Sequence, residues 1–396
     1  MAGAIAPFSN HLPVRIHFGD GISSKLGEVL ASESVSRALV VLDEGLEEVN
    51  PPVARCLREA ESADVHLARH VKGRGEPTLE VVGSAAAALA ESGAEAVVAV
   101  GGGSVMDTAK AARLCLTQGQ SVSAFLASGS AYRPPSLPLI CLPTTAGTGS
   151  EVSGGAVLTD ATTHLKTGIA NPLLRAQYAL VDPVFTHSLP PEVTAQTGID
   201  ALAQAIAAIV VKVRTPVGNA IALEATRLAG RSLVAVVRNG SGVAARSEMA
   251  CASLMAGLAM NISDCGAEHS LAQALGGSFA LPHGLTVGLV LAETLERERG
   301  HVPELLERVA DALGVPDDGS RDGSRAVLGV RRILADIGIP VLREVGVTRE
   351  NLDDLTERAM NDFLITQSPV PWTAAEVRRA YESALQLPSR RATSPV

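Results

Sequence analysis

The chain reads as an α/β half built on a parallel sheet, followed by an all-helical half. Three observations predict this. Up to about residue 188, short β-rich apolar runs alternate with Ala-rich stretches of helical period, the strand–helix–strand order of a parallel sheet covered by helices. After Pro190 and Pro191 almost every segment to about residue 387 has helical period, and β-branched runs become scarce. The length of 396 residues suits about two domains, here 1–188 and 189–396.

Strands are expected at residues 37–42, 94–100, 137–142 and 179–181, each ending in Gly, Asp or Pro punctuation. Helices are expected at 51–63 and 78–91. In the second half, helix boundaries fall at Thr215-Pro216, Asn239-Gly240, Gly314-Val315-Pro316, Gly338-Ile339-Pro340 and Ser368-Pro369. Residues 317–324 and the tail after Pro388 are polar and expected to be loose. No internal repeat or low-complexity tract is present.

Forty-two acidic against 33 basic residues give a formal charge of −9, which argues against a nucleic-acid partner. Aromatics at 3 % leave few stacking platforms for single strands. Five cysteines without a CxxC pair read as reduced thiols of a cytoplasmic protein. Residues 1–10 lack a basic region followed by an apolar stretch, and no run of ~18 apolar residues is evident, so neither a signal peptide nor a membrane span is expected.

The strand at 96–100 runs into Gly101, Gly102, Gly103, Ser104, Val105, Met106 and Asp107, then into a helical stretch through Lys110. Three glycines let the backbone turn sharply and approach a ligand. Ser104 and Asp107 have the spacing of a capping pair, and the helix start suits a pyrophosphate. A tight turn without a ligand is the plain alternative. A second such stretch, from Pro143 through Thr144, Thr145, Gly147, Thr148, Gly149 and Ser150 to Glu151, follows the strand at 137–142. Its hydroxyls suit ribose, phosphate or amide groups, or else satisfy their own turn. Asp43 ends the strand at 37–42, where a carboxylate accepts ribose hydroxyls and repels a 2′-phosphate, favouring NAD over NADP; otherwise it is a turn former.

In the helical half Asp200 and Gln204 share one helix face. Glu268-His269 opens a helix, and Pro282-His283-Gly284 begins the next. Two imidazoles and an inward carboxylate suit Zn²⁺, Fe²⁺ or Ni²⁺ rather than Ca²⁺, although unrelated surface histidines have the same spacing. His11, His17, His66, His70, His164, His187 and His301 show no ligand spacing; the flanks of His66 suit a strand. Met255 and Met260 read as core.

These pieces, in this order, resemble the iron-containing (group III) alcohol dehydrogenase family over nearly the whole chain. The matching segments are Val14 through Gly19, Val41-Leu42-Asp43, the stretches from Gly101 to Lys110 and Pro143 to Glu151, Leu180-Val181-Asp182-Pro183, Thr197 through Leu202, and Gly257 through Gly284. The resemblance implies a dehydroquinate synthase-like architecture, with nicotinamide, substrate and metal in a cleft between the halves. It implies Asp200, His269 and His283 as catalytic metal ligands, with Gln204 as a weaker candidate. Asp43 is implied at the adenosine ribose, Gly101, Gly102, Gly103, Ser104 and Asp107 along the pyrophosphate, and Thr144, Thr145, Thr148, Ser150 and Lys166 on the ribose and nicotinamide side. The cofactors implied are NAD(H) and a divalent metal, Fe²⁺ or Zn²⁺, with Mn²⁺ and Ni²⁺ as alternatives. Small alcohols and aldehydes are the implied substrates and a homodimer the implied assembly.

Three departures stand out. Gln204 replaces a histidine ligand of the family and offers only a neutral carbonyl oxygen. Gln273 replaces a histidine often assigned to proton relay. Glu76-Pro77-Thr78 replaces Asn-Pro-Thr. The expected reaction is reversible oxidation of an alcohol to an aldehyde or ketone, with the metal as Lewis acid and hydride transfer at the nicotinamide. Its rivals are a metal-independent reductase like the maleylacetate reductases, with Lys166, Arg175 and Lys212 as the available cations, a lyase like dehydroquinate synthase, and a silent cofactor-binding homologue. Met260, Phe279 and Phe363 are candidate pocket residues.

Overall fold

Unbroken apolar runs such as Ala96–Gly101 and Leu139–Pro143 become strands buried at every position, because a parallel sheet is covered on both faces and its strands need not alternate. The computed structural model describes residue 5 and residues 7–161 and 166–388; His164 and the tail after Pro388 lie outside them. The described strands are β1 (Arg15–Phe18), β2 (Arg37–Asp43), β3 (His66–Lys72), β4 (Ala96–Gly101), β5 (Leu139–Pro143), β6 (Gly155–Thr159), β7 (Lys166–Ala170) and β8 (Tyr178–Val181). Six of them pair in parallel in the order β1-β8-β5-β4-β2-β3. The direction of winding reverses between β2 and β4, the kind of switch point where open α/β sheets bind ligands. Leu42 is in register with Val100, and Gly101 with Pro143, so Asp43 and both glycine-rich turns leave the sheet side by side.

Helices α1 (Leu26–Ser32), α2 (Leu46–Val49), α3 (Pro51–Glu61), α4 (Leu79–Glu91), α5 (Gly103–Gln118) and α6 (Val122–Ser128) complete the first half. Asn50 caps α3 and Thr78 caps α4, each side chain accepting a first-turn backbone N–H. The antiparallel hairpin of β6 and β7 is an element the sequence reading lacked. β7 is Lys-Thr-Gly-Ile-Ala, five residues without apolar–polar alternation and with a central glycine, which weakens the strand signal.

The second half comprises α7 (Pro191–Val210), α8 (Pro216–Arg238), α9 (Val243–Ile262), α10 (Ala267–Phe279), α11 (His283–Glu298), α12 (Pro303–Ala312), α13 (Ser324–Asp336), α14 (Leu352–Met360) and α15 (Ala374–Gln386), with short 3-10 turns between some of them. Prolines open α7, α8 and α12, where no N–H is needed. Among the described residues one helix is long and apolar on average, although it is interrupted by polar side chains such as Asp200 and Gln204. By length and composition α7 is able to cross a membrane, but 83 % of its most apolar window is buried inside the protein, where it forms the axis of the helical core. Residues 317–324 are also better fixed than expected. Asp317 accepts from Gly319 N–H and Arg321, and Asp322 from Ser324 N–H, while buried Arg325 is held by Glu307 and Asp311.

The halves meet through small residues. Gly149 has φ +60°, and a Cβ there would fall 2.5 Å from the Gly257 Cα on α9, so only glycine permits this approach. Asn261 clamps the same junction, donating to Val152 O and Gly257 O and accepting from Gly154 N–H.

Candidate active site

Three helices bring a carboxylate and two imidazoles together. Asp200 lies in the middle of α7, His269 in the first turn of α10 and His283 at the first position of α11. Asp200 Oδ1 is 3.6 Å from His269 Nε2 and 3.7 Å from His283 Nε2. These separations exceed a hydrogen bond but approach the ~3.3–3.5 Å between two donors on one tetrahedral ion at about 2.0–2.1 Å. Asp200 is 2 % exposed, and its Oδ1 accepts no hydrogen bond among the described residues. One turn along α7, the buried Gln204 Oε1 is equally unpartnered. Buried acceptors without donors are costly, and a cation between these groups removes that cost, so the residues present fit a divalent metal. Burial pushes the Asp200 carboxyl up, but His283, His269 and Gln204 outweigh it and hold the group below its ordinary range. Burial depresses the His283 imidazolium against the pull of Asp200, leaving its lone pair free at neutral pH.

A second layer supports His269. Glu268 Oε1 lies 2.9 Å from His269 Nδ1 and accepts from Gly266 N–H at 2.8 Å. A carboxylate on Nδ1 places the proton there and turns Nε2 toward the ion. Behind it, Ser368 Oγ accepts from Ala267 N–H, and Glu298 Oε1 accepts from Trp372 Nε1 at 3.1 Å. Burial, reinforced by the charge of Glu268, pushes the Glu298 carboxyl up to about 8 from an ordinary 4.5. The folded chain therefore keeps a proton that the unfolded chain loses, so this contribution to stability is full below pH 4.5 and is lost as the pH rises through about 8. Glu298→Gln is expected to flatten the fall in Tm between about pH 5 and 8; a thermal melt series with an unchanged slope would refute the assignment.

On the sheet side the two glycine-rich loops touch. A Cβ at Gly103 would sit 2.7 Å from Thr148 Cγ2, and one at Gly102 3.3 Å from Thr145 Oγ1. Thr144 N–H donates to Gly101 O. The expected Ser104–Asp107 capping pair does not form: α5 begins at Gly103, after a Gly102 N-cap with no side-chain bond. Asp107 turns instead to the second loop, where Oδ1 accepts from Ser150 Oγ at 2.8 Å and Oδ2 from Val157 N–H at 2.9 Å. Buried Lys110 ties Ser150, Ser153 and Gly155 O together. Asp107 and Ser150 thus brace the loops, while Ser104, Thr145 and Thr148 remain half-buried beside them.

Two ion pairs flank this surface. Asp43 Oδ1 receives the fully buried Lys72 Nζ at 2.7 Å, which also donates to Gly73 O and Gly75 O. The sequence reading missed Lys72, since a lysine at a strand end normally faces solvent. Lys166 Nζ meets Glu76 Oε2 at 3.1 Å and lies against Gly276 of α10, so it reaches from the hairpin to the helical half. Gln273 is half-buried one turn beyond His269. His66 and His70 are on β3 as the flanks implied, His17 stacks on Tyr178, and Arg175 binds His11 O. Met255 and Phe279 pack on the helical core, whereas Phe363 is 66 % exposed.

Comparison with known proteins decides the kinship. The profile of "Iron-containing alcohol dehydrogenase" matches residues 13–183, and that of "Fe-containing alcohol dehydrogenase family, C-terminal" matches 194–385. The chain belongs to the iron-containing alcohol dehydrogenase family. A choline dehydrogenase of Bacillus subtilis is 34 % identical over 360 residues, covering 89 % of this chain and 88 % of its own. An NAD-dependent methanol dehydrogenase of Bacillus methanolicus is 30 % identical over 380 residues, covering 94 % and 99 %. The crystal structure of a 1,3-propanediol oxidoreductase superposes with a TM-score of 0.91 at 29 % identity, covering 96 % of this chain and 100 % of that one. The two-part architecture is that of the iron-containing alcohol dehydrogenases, and alcohol dehydrogenase chemistry follows from the kinship.

Proposed function

We propose that this member of the family is an NAD(H)-dependent, divalent-metal-dependent alcohol dehydrogenase that also reduces aldehydes or ketones. The observation that carries the reading is the buried, unpartnered Asp200 Oδ1 between two histidine nitrogens. Asp200, His269 and His283 would hold the ion. Residues 1–188 would form the dinucleotide domain and 189–396 the metal and substrate domain. Asp43 would accept the adenosine ribose, with Lys72 fixing one carboxylate oxygen and leaving the other free. Gly101, Gly102, Gly103 and Ser104 would line the pyrophosphate, with Asp107 and Ser150 acting through loop shape. Thr144, Thr145, Thr148 and Lys166 would face the nicotinamide ribose.

When bound, the ion supplies Lewis-acid polarisation of the substrate oxygen and the nicotinamide supplies or accepts the hydride. Asp200 provides the negative charge that favours a cation here, and Glu268 holds His269 in the tautomer that offers Nε2. Gln273 carries no titratable proton, so the hydroxyl proton would travel by water, a ribose hydroxyl or another group. The cations of the metal-independent rival are already engaged: Lys166 by Glu76, Arg175 by His11 O and Asn261, Lys212 by Thr366 O. Five free cysteines favour a reducing, cytoplasmic compartment, and the family resemblance favours a homodimer.

The test is NADH absorbance across an alcohol and aldehyde panel, using chelator-treated protein resupplied with Fe²⁺, Zn²⁺, Mn²⁺ or Ni²⁺. Metal-dependent turnover is expected; NADH binding without turnover on any member would leave the silent homologue. Asp43→Gly is expected to raise the NADPH-to-NADH ratio of kcat/KM by about tenfold or more, since a charged hydrogen bond and a repulsion are removed together. An unchanged ratio would refute the ribose assignment.

A further inference from the structure

His269 Nε2 has a second neighbour besides Asp200. Cys265 Sγ lies 3.8 Å from it, and Cys265, Glu268 and His269 form another trio whose donor atoms lie within 4.8 Å of one another. Glu268 already serves the opposite nitrogen of the ring, so the sulfur is the donor of that trio facing the Nε2 side. Cys265 is 2 % exposed. It is fixed by Asp264, which adopts φ 140°, a strained conformation for an L-residue, and accepts the Cys265 N–H at 2.9 Å. Gln204, in contrast, offers the site only an amide oxygen, a poor donor to Zn²⁺ or Fe²⁺.

We propose that Cys265 supplies a thiolate to the ion held by Asp200, His269 and His283, taking the coordination place that Gln204 fills poorly. The inference rests on the metal-site reading above and adds a ligand to it. An N–S separation of about 3.5 Å is that of two donors on one tetrahedral Zn²⁺, near the 3.8 Å found. The two trios share His269 without merging, so to reach the ion the sulfur would have to turn inward about the Cys265 Cα–Cβ bond. Cys265 would bind as the thiolate, giving up its S–H proton to solvent. A site with one thiolate, two imidazoles and one carboxylate favours thiophilic ions such as Zn²⁺ and Co²⁺ over Fe²⁺.

Cobalt substitution reads this directly. Chelator-stripped full-length protein titrated with Co²⁺ is expected to develop a near-ultraviolet sulfur-to-cobalt charge-transfer band that saturates at one ion per chain. Cys265→Ser and Cys265→Ala should still bind one Co²⁺ without the band, with affinity lower by about tenfold or more, while Cys251→Ser keeps both. In Cys265→Ser, adding Gln204→His should restore affinity but not the band. One Co²⁺ bound to wild type without the band, or a band surviving in the Cys265 variants, overturns the thiolate ligand and leaves the metal site standing. No stoichiometric Co²⁺ binding by wild type overturns the metal site and the thiolate together.

Discussion

An Asp200→Asn protein is expected to lose its divalent ion and to fall in turnover by more than about 100-fold, beyond the range typical of changes to groups behind the ligands. The substitution is nearly isosteric, so packing on α7 is retained and the effect isolates charge. Asp200 is buried at 2 % exposure, and its Oδ1 is the atom both imidazoles approach. Asparagine offers a neutral oxygen there and adds an N–H₂ that repels a cation. Metal content by mass spectrometry together with NADH-linked kcat checks this. Full metal occupancy with near-normal turnover would remove Asp200 from the site.

Gly284→Ala is expected to damage fold and site together. A Cβ at Gly284 would fall 2.0 Å from the Gln196 carbonyl oxygen of α7, a backbone atom within a helix that cannot swing aside. The start of α11 must then move off α7, carrying His283 away from Asp200. Overpacking of this kind costs about 1–3 kcal/mol and occasionally more, so a fall of several degrees in Tm is expected, accompanied by weaker metal binding. Gly288→Ala is the control one turn later: the nearest atoms to its Cβ would be side-chain carbons of Ile199 and Ile339, from 3.3 Å, which are able to adjust. Equal Tm values and metal affinities for the two variants would contradict the pinning of His283 by the α7–α11 contact.

Where burial dictates composition, the sequence was legible. β4 and β5 announced themselves because both faces of the sheet are covered, and Pro190-Pro191 marked the start of α7. Asp43, His269 and His283 stood out as candidates because strand ends and helix starts are punctuated locally, whereas Asp200, in the middle of α7, was singled out by its helix face and by the family resemblance. What escaped notice depends on contacts distant in sequence. Nothing local says that Lys72 folds inward onto Asp43, or that Asp107 leaves its helix start to hold Ser150 and Val157, more than 40 residues away. The β6–β7 hairpin has short strands that contain Gly155 and Gly168, which weaken the local signal. Cys265 lies just ahead of α10, where the turn at Asp264 and Gly266 folds it back toward His269, so its place beside the ring depends on loop geometry that residue spacing does not reveal.

Anomalous X-ray diffraction at the metal edge, from crystals of chelator-stripped protein reloaded with a single divalent metal, locates the ion directly. A single peak within about 2.0–2.3 Å of the Asp200 carboxylate, His269 Nε2 and His283 Nε2 is the predicted result. A peak held elsewhere, or only on the Cys265 and Glu268 side of His269 without Asp200 and His283, would contradict it.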